Sequence, residues 1–309
     1  MKKDLLKAIK SLALFILILL IADRAIGYFI EKLYFKQKTG DLYQTTYAIQ
    51  QAKQKVLIFG ASRAMHQYVP DILEQKLHKS AYNLGRDGRN MIYHFAILSQ
   101  VLTYNHPDLV ILDVLPDEYS FKPGKEGEDG MISALLPYMN YPEIKADISQ
   151  IRRSDIILSS VFKTYAYNSN LAQIFGYNLG VLTASKNNKG YEPLYGTKLT
   201  NADLKAPGLI NMPETNEEEP KKYFKAFLDK AKQNNIKVCV VVSPVFPVIG
   251  VKNCISDMKK TTEEYGFKFY DFSKTNTFAS YSLFYDQSHL NDEGAVHFTE
   301  DLVNTLTTR

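Results

Sequence analysis

Apolar residues fall into two regimes along this chain. A long uninterrupted stretch comes first, and short blocks separated by polar segments of helical period follow. Ser11 to Ala22 carries no charge; Asp23-Arg24 interrupt it, and Ala25 to Ile30 is apolar again. Twelve uncharged residues fall short of the roughly 20 that span a bilayer. Lys2, Lys3, Lys7 and Lys10 precede the stretch, a basic start that a signal peptide shares. No Ala-x-Ala follows, and the apolar character resumes after Arg24. The reading is an uncleaved anchor over residues 1–30, lengthened by snorkelling Lys and Arg side chains. Lysines before the span place the N-terminus in the cytoplasm and the rest of the chain outside.

Residues 31–54 are polar with scattered tyrosines, the pattern of a helical stalk. From residue 55 the rhythm is strand, loop, helix. Val56-Leu-Ile-Phe59 reads as a buried strand and Ala81 to Leu84 as a second. Leu109 to Leu115, Lys237 to Ser243 and Phe267 to Phe272 are three more. Pro70 opens a helix, and Met91 to Leu102 carries a helical apolar stripe. A last helix runs from about Asp292 to Leu306 with Asn291 as its N-cap. Strands alternating with helices predict an α/β fold, a parallel five-stranded sheet covered on both faces. Residues 121–215 break the rhythm and read as an insertion at the carboxyl edge of the sheet, where it would shape a substrate site.

Composition changes little: 45% hydrophobic and 23% charged residues are ordinary for a globular chain. A net charge of +4 gives no argument for nucleic acid. Of the two cysteines, Cys239 lies in a strand pattern and reads as a buried thiol, although an external compartment permits a disulfide with Cys254. No Cys/His cluster has structural-zinc spacing.

The chemistry sits at two distant points. Ser62 follows the first strand across Gly60-Ala61, at the edge where open α/β sheets bind ligands. Asp286 and His289 stand three apart, between the fifth strand and the last helix. That spacing lets the carboxylate meet Nδ1 and leaves Nε2 as a base. Parallel topology brings both points to one edge, so Ser62, His289 and Asp286 are the candidate nucleophile, base and orienter. Paired-carboxylate glycosidase chemistry would leave this placement unexplained. Closely spaced glycines do not follow Ser62, so no nucleotide-binding cradle is expected.

These residues resemble the SGNH (GDSL-like) hydrolase superfamily. Gly60-Ala61-Ser62 is similar to its first block, Gly85 after Asn83-Leu84 to its second, and Asp286-Gln-Ser-His289 to its last. The resemblance covers roughly residues 55–120 and 235–309. It implies a flavodoxin-like sheet and serine ester chemistry without metal or cofactor. It also implies an oxyanion hole from the Ser62 and Gly85 amides. The anchored Gly-Ala-Ser-Arg variant looks most like bacterial envelope proteins acting on O-acylated glycans. An acylated glycan or small ester is then the expected partner. Ala61 departs from the usual Asp. The third block, Gly-x-Asn-Asp, is replaced by Asp113-Val-Leu-Pro-Asp117. An ionised Asp113 cannot donate to an oxyanion, which leaves Asn90 or Arg89 as substitutes. The alternative is a non-catalytic relative that binds glycan or scaffolds an envelope complex.

Overall fold

The structure, a computed structural model, describes residues 1–115, 119, 125–183, 188–200, 203, 218–246, 252–273, 278 and 280–308. Parts of the expected insertion, 121–124, 184–187, 201–202 and 204–215, therefore lie outside the described residues. By internal packing the chain divides into two units. One comprises Met1–Tyr43 and Ile132–Ala184; the other comprises Gln44–Met131 and Ser185–Arg309.

The second unit holds the sheet. Strands β1 (Val56–Phe59), β2 (Ala81–Asn83), β3 (Leu109–Asp113), β4 (Lys237–Val242) and β5 (Lys268–Asp271) are all parallel, in the order β2-β1-β3-β4-β5. That is the flavodoxin-like order, with its switch point between β1 and β3. Register pairs Phe59 with Leu112 and Asp113 with Val241, so these strands end level at one edge. All four residues of β1 are buried, as a strand covered on both faces requires.

Helices α1 (Lys2–Lys36) and α2 (Gly40–Gln50) precede the sheet. Then come α3 (Ser62–Gln67), α4 (Pro70–Leu77), α5 (Met91–Val101) and α6 (Lys125–Leu135). α7 (Pro142–Ile151), α8 (Arg153–Val161) and α9 (Leu171–Asn178) follow, then α10 (Glu218–Gln233), α11 (Lys252–Glu264) and α12 (Asp292–Thr307). The sequence leaves α3 unread. It is separate from α4 because Pro70 disfavours helical backbone at Val69, which is extended at φ −95° and ψ 105°, and Tyr68 before it is extended as well. On one sheet face Phe298 of α12 meets Tyr68 and Phe272 edge-on, with centroids 5.0 and 5.3 Å away. Burying such a ring contributes about 1.5–3 kcal/mol. On the other face Phe59 meets Phe227 of α10 at 5.5 Å.

Residues 31–54 are not a free-standing stalk. Thr45, Ala48, Ile49 and Ala52 are buried in the sheet unit. Tyr104 Oη donates to Ala48 O at 2.8 Å, and Tyr47 stacks on Tyr82 at 4.0 Å. Spacings of three and four place those small residues on one helical face that polar neighbours conceal in the sequence. Strand β2 is an edge strand. Its Asn83 N–H donates to Lys189 O at 2.8 Å, and Lys189 Nζ reaches Asp71 at 2.6 Å and also Glu74. Gly190 (φ +84°) presses on the Asn83 carbonyl where no Cβ fits.

The other unit is helical. The C-terminal half of α1 buries Gly27, Ile30 and Tyr34. Tyr34 takes a hydrogen bond from Tyr138 Oη at 3.2 Å and meets the Tyr167 ring edge-on at 5.6 Å. Asp23 and Arg24 close the junction between α8 and the 3-10 segment Lys163–Asn170. Arg24 Nη2 donates to the carbonyls of Ser160 and Val161 at 2.6 and 3.1 Å. Asp23 accepts from the amides of Lys163 and Thr164 at 2.5 and 3.3 Å and from the Thr164 hydroxyl. α1 is long and apolar enough to cross a membrane, a test that a signal sequence also passes.

Candidate active site

β1 delivers the chain to the carboxyl edge, and Gly60 turns it there. Its φ of +145° suits glycine, and a Cβ would lie 2.7 Å from Asp113 O and 2.8 Å from Ala64 Cβ. Ser62 is then the first residue of α3. The opposite side of the site is the loop before α12. There Asp286 Oδ1 accepts from the amides of Ser288 and His289, both at 2.9 Å. Asn291 caps α12 by accepting from Gly294 N at 3.0 Å, and its Nδ2 donates to Ser282 O at 2.7 Å. α12 is tied to the far end of α3: Val69 N donates to Thr299 Oγ1 at 3.0 Å, and that hydroxyl donates to Gln67 O at 3.2 Å.

These ties bring the sequence-distant groups together. His289 Nδ1 lies 2.8 and 3.0 Å from the two Asp286 carboxylate oxygens, and His289 Nε2 lies 2.8 Å from Ser62 Oγ. With Nδ1–H donating to the carboxylate, Nε2 carries the lone pair that accepts the Ser62 hydroxyl proton. Burial pushes the Asp286 carboxyl up. Hydrogen bonds from the His289 ring and from the Ser288 and His289 amides outweigh it and hold the group below the usual carboxylate range.

Two expected oxyanion donors, Gly85 and Arg89, are engaged elsewhere. The Gly85 amide donates to Asn83 Oδ1 at 2.9 Å. Asn83 Nδ2 in turn donates to Ala64 O at 2.6 Å and Tyr68 O at 3.0 Å, which satisfies carbonyls at the end of α3. Gly85 is required because its backbone lies against Met65 N and Ala64 C with no room for a Cβ. Asn90 caps α5 through Oδ1, which accepts from Ile92 N at 3.0 Å. The donor end of an asparagine amide is its other end. Arg89 Nη1 donates to Gly130 O at 2.6 Å.

Asp113 is not an oxyanion group. Its carboxylate is 2.7 Å from Arg63 Nη2, and the Ser243 hydroxyl donates to it at 2.7 Å. Arg63 Nη1 also donates to Ser243 Oγ at 3.1 Å. The pair is sealed, with side-chain exposures of 3% and 1%. Burial pushes Asp113 up and the Arg63 guanidinium opposes it, leaving the carboxyl above its usual range.

The rest of α3 is engaged as fully. Gln67 Nε2 donates to Pro244 O at 3.4 Å and to Ser288 O at 3.2 Å, joining the end of β4 to the histidine loop. His66 Nδ1 donates to Glu192 O at 2.6 Å, and its ring stands edge-on to His289 at 5.5 Å. Burial holds His66 below the usual imidazole range. Residues 191–198 join the two sides. Glu192 N donates to Met65 O at 3.0 Å, Asp292 N to Leu194 O at 2.7 Å and Lys198 N to Tyr285 O at 2.5 Å.

No protein-family model matches the chain, and no curated protein matches it. Two solved structures are similar to it at low identity. One is a Streptococcus pneumonia protein provisionally described as a platelet activating factor. It is 10% identical, has a TM-score of 0.45, and is aligned over 93% of this chain and 98% of its own. The other is a Bacteroides fragilis NCTC 9343 protein provisionally described as an acylhydrolase. It is 12% identical, has a TM-score of 0.38, and is aligned over 85% of this chain and 94% of its own.

Sequence reading places Ser62, Asp286 and His289 and misses Arg63, His66, Gln67, Asn83 and Ser243. One signal was available. Arg63 directly follows an apolar strand and its turn, and a buried arginine requires a buried acid; Asp113, ending another apolar strand, is the obvious candidate.

Proposed function

We propose that this chain is a serine-dependent acyl-ester hydrolase or O-acyltransferase, with Ser62 as nucleophile, His289 as base and Asp286 as its orienter. The observation that carries the reading is the continuous hydrogen-bonded path Ser62–His289–Asp286 at the carboxyl edge of the sheet. Ser62 Oγ attacks an ester carbonyl while His289 Nε2 takes its proton. The tetrahedral oxyanion is received by the Ser62 N–H and by the side-chain NH₂ of Asn90. Collapse expels the alcohol, which takes the proton back from His289, and leaves an acyl-serine. Water or an acceptor hydroxyl, deprotonated by His289, completes the cycle. Asp113 neutralises Arg63, so that guanidinium supports the turn under Ser62 and does not meet the oxyanion.

The substrate class is an acylated surface carbohydrate. Tyr195, 73% exposed within the segment that joins the two sides of the site, offers an aromatic face for a sugar ring. α1 anchors the chain, and the four lysines before Ser11 keep its start in the cytoplasm. Protease added to intact spheroplasts should digest residues beyond 55; protection until lysis overturns the topology.

The central test is labelling by a fluorophosphonate probe together with ester hydrolysis and transfer assays. Labelling and turnover that vanish in Ser62→Ala support the enzyme. One observation favours the second reading, a non-catalytic glycan-binding or scaffold protein: the Gly85 amide is committed to Asn83. Full complementation of a deletion strain by Ser62→Ala would establish that reading instead.

A further inference from the structure

Asp23 and Arg24 interrupt the apolar run of α1, and both are consumed at the junction between α8 and the 3-10 segment that follows it. Arg24 meets carbonyls at the C-terminus of α8, where a cation suits the helix dipole. Asp23 meets the amides that open the following 3-10 segment. The corner around residues 157–164 is therefore fixed at the level where the uncharged run ends. Its outer face is apolar. Ile157, Leu158, Val161 and Phe162 expose 56, 37, 42 and 41% of their surface. Spacings of one and four put Ile157, Leu158 and Val161 on one side of α8, with Phe162 as its extended C-cap residue, while Arg152, Arg153 and Asp155 lie at its other end. On α1 itself Leu5, Leu6 and Ile9, then Leu12, Leu14 to Leu19 and Ile21, are exposed apolar residues, and Ile26, Tyr28 and Phe29 continue that surface past Asp23.

We infer that the α8 corner is a second membrane contact, seated in the headgroup–acyl boundary of the leaflet through which α1 leaves the bilayer. This rests on the anchor reading of α1. The occupant is lipid because the patch continues the lipid-facing surface of the spanning helix. It also lies below the level of Glu31, whose carboxylate is engaged by Lys163 Nζ at 2.7 Å and Tyr167 Oη at 3.0 Å. Glu31 is seven residues past Arg24, about 10 Å along the helix. That distance is comparable with the headgroup layer, about 5–8 Å on each side. Asp23 and Arg24 are thereby shielded at the boundary by peptide groups, and the apolar corner meets acyl chains.

The chain has no tryptophan, so single substitutions report depth cleanly. Full-length Phe15→Trp, Phe162→Trp and Leu179→Trp are reconstituted in phosphatidylcholine vesicles, with and without lipids brominated near the headgroup end and at the middle of the acyl chain, because position 15 lies about 14 Å deeper than Arg24. Leu179 adjoins Asn178, which donates to Leu33 O at 3.0 Å, nine residues and about 14 Å beyond Arg24. The expected result is loss of emission on bromination at positions 15 and 162 and none at 179. Loss at 15 without loss at 162 overturns the corner while leaving the anchor intact. Equal loss at 162 and 179 also overturns it, because the seat is then not the corner. No loss at 15 overturns the anchor reading, and the inference falls with it.

Discussion

Both units place charge at the end of an apolar element, and they neutralise it differently. In the sheet unit Arg63 follows β1 and is met by a full opposite charge, Asp113, at the end of β3. In the helical unit Asp23 and Arg24 interrupt α1 and are met by the partial charges of helix ends. A sealed pair of full charges is unforgiving, since removing either leaves the other buried and unpaired. A side chain at a helix end can be replaced by water or a neighbour at modest cost. The rigid solution lies under the proposed nucleophile, and the forgiving one beside the proposed anchor.

The largest effect should come from breaking what the rigid solution supports. Ser62→Ala or His289→Ala should each lower ester turnover by about 10⁴-fold or more, and the double variant little further. Kinetics on a small ester beside an acylated glycan would check this; additive losses would mean that the two do not act as a unit. Next is the pair itself. Asp113→Ala or Arg63→Met alone should cost about 3–5 kcal/mol in chemical denaturation, whereas Arg63→Met with Asp113→Leu should recover most of it. If the double variant is as unstable as the singles, burial of an unpaired charge is not the cause.

Acid titration separates a third buried group. Burial lowers the His94 pKa to about 3. Below the unfolded value of about 6.5, the unfolded chain takes a proton that the folded chain refuses. Stability should therefore fall by up to about 1.4 kcal/mol per pH unit as pH drops from about 6.5 toward 3, and His94→Leu should remove that part of the slope. Denaturant midpoints at stepped pH values would show it. The smallest effect is expected at the junction of α1 and α8. Asp23→Ala should cost about 1 kcal/mol, the ordinary loss of a cap, read from the thermal midpoint in detergent.

Legibility followed the same division. The sheet, its strand limits within a residue or two, and the Ser62, Asp286 and His289 set could be read because each depends on local pattern: apolar runs, punctuating glycines, a short Asp-to-His spacing. The α3 connections could not. Arg63 meets Ser243 across 180 residues and Gln67 meets Ser288 across 221, distances at which no local period carries information. Resemblance makes Gly85 an expected oxyanion donor, but its amide is turned to the Asn83 side chain two residues before it. The polar surface of residues 41–54 hid the small residues that pack inward. The charged interruption at Asp23-Arg24 was visible, but its partners, about 140 residues away, were not.

The turn at Lys189 and Gly190 bears on association as well as folding. Strand β2 would otherwise offer Asn83 to solvent as a template for another chain. Lys189 O takes the Asn83 amide, Gly190 covers its carbonyl, and the Lys189 side chain is held by Asp71 and Glu74. The plug leaves no bare ladder position at Asn83 for strand addition. That guards against edge-to-edge aggregation between neighbouring copies.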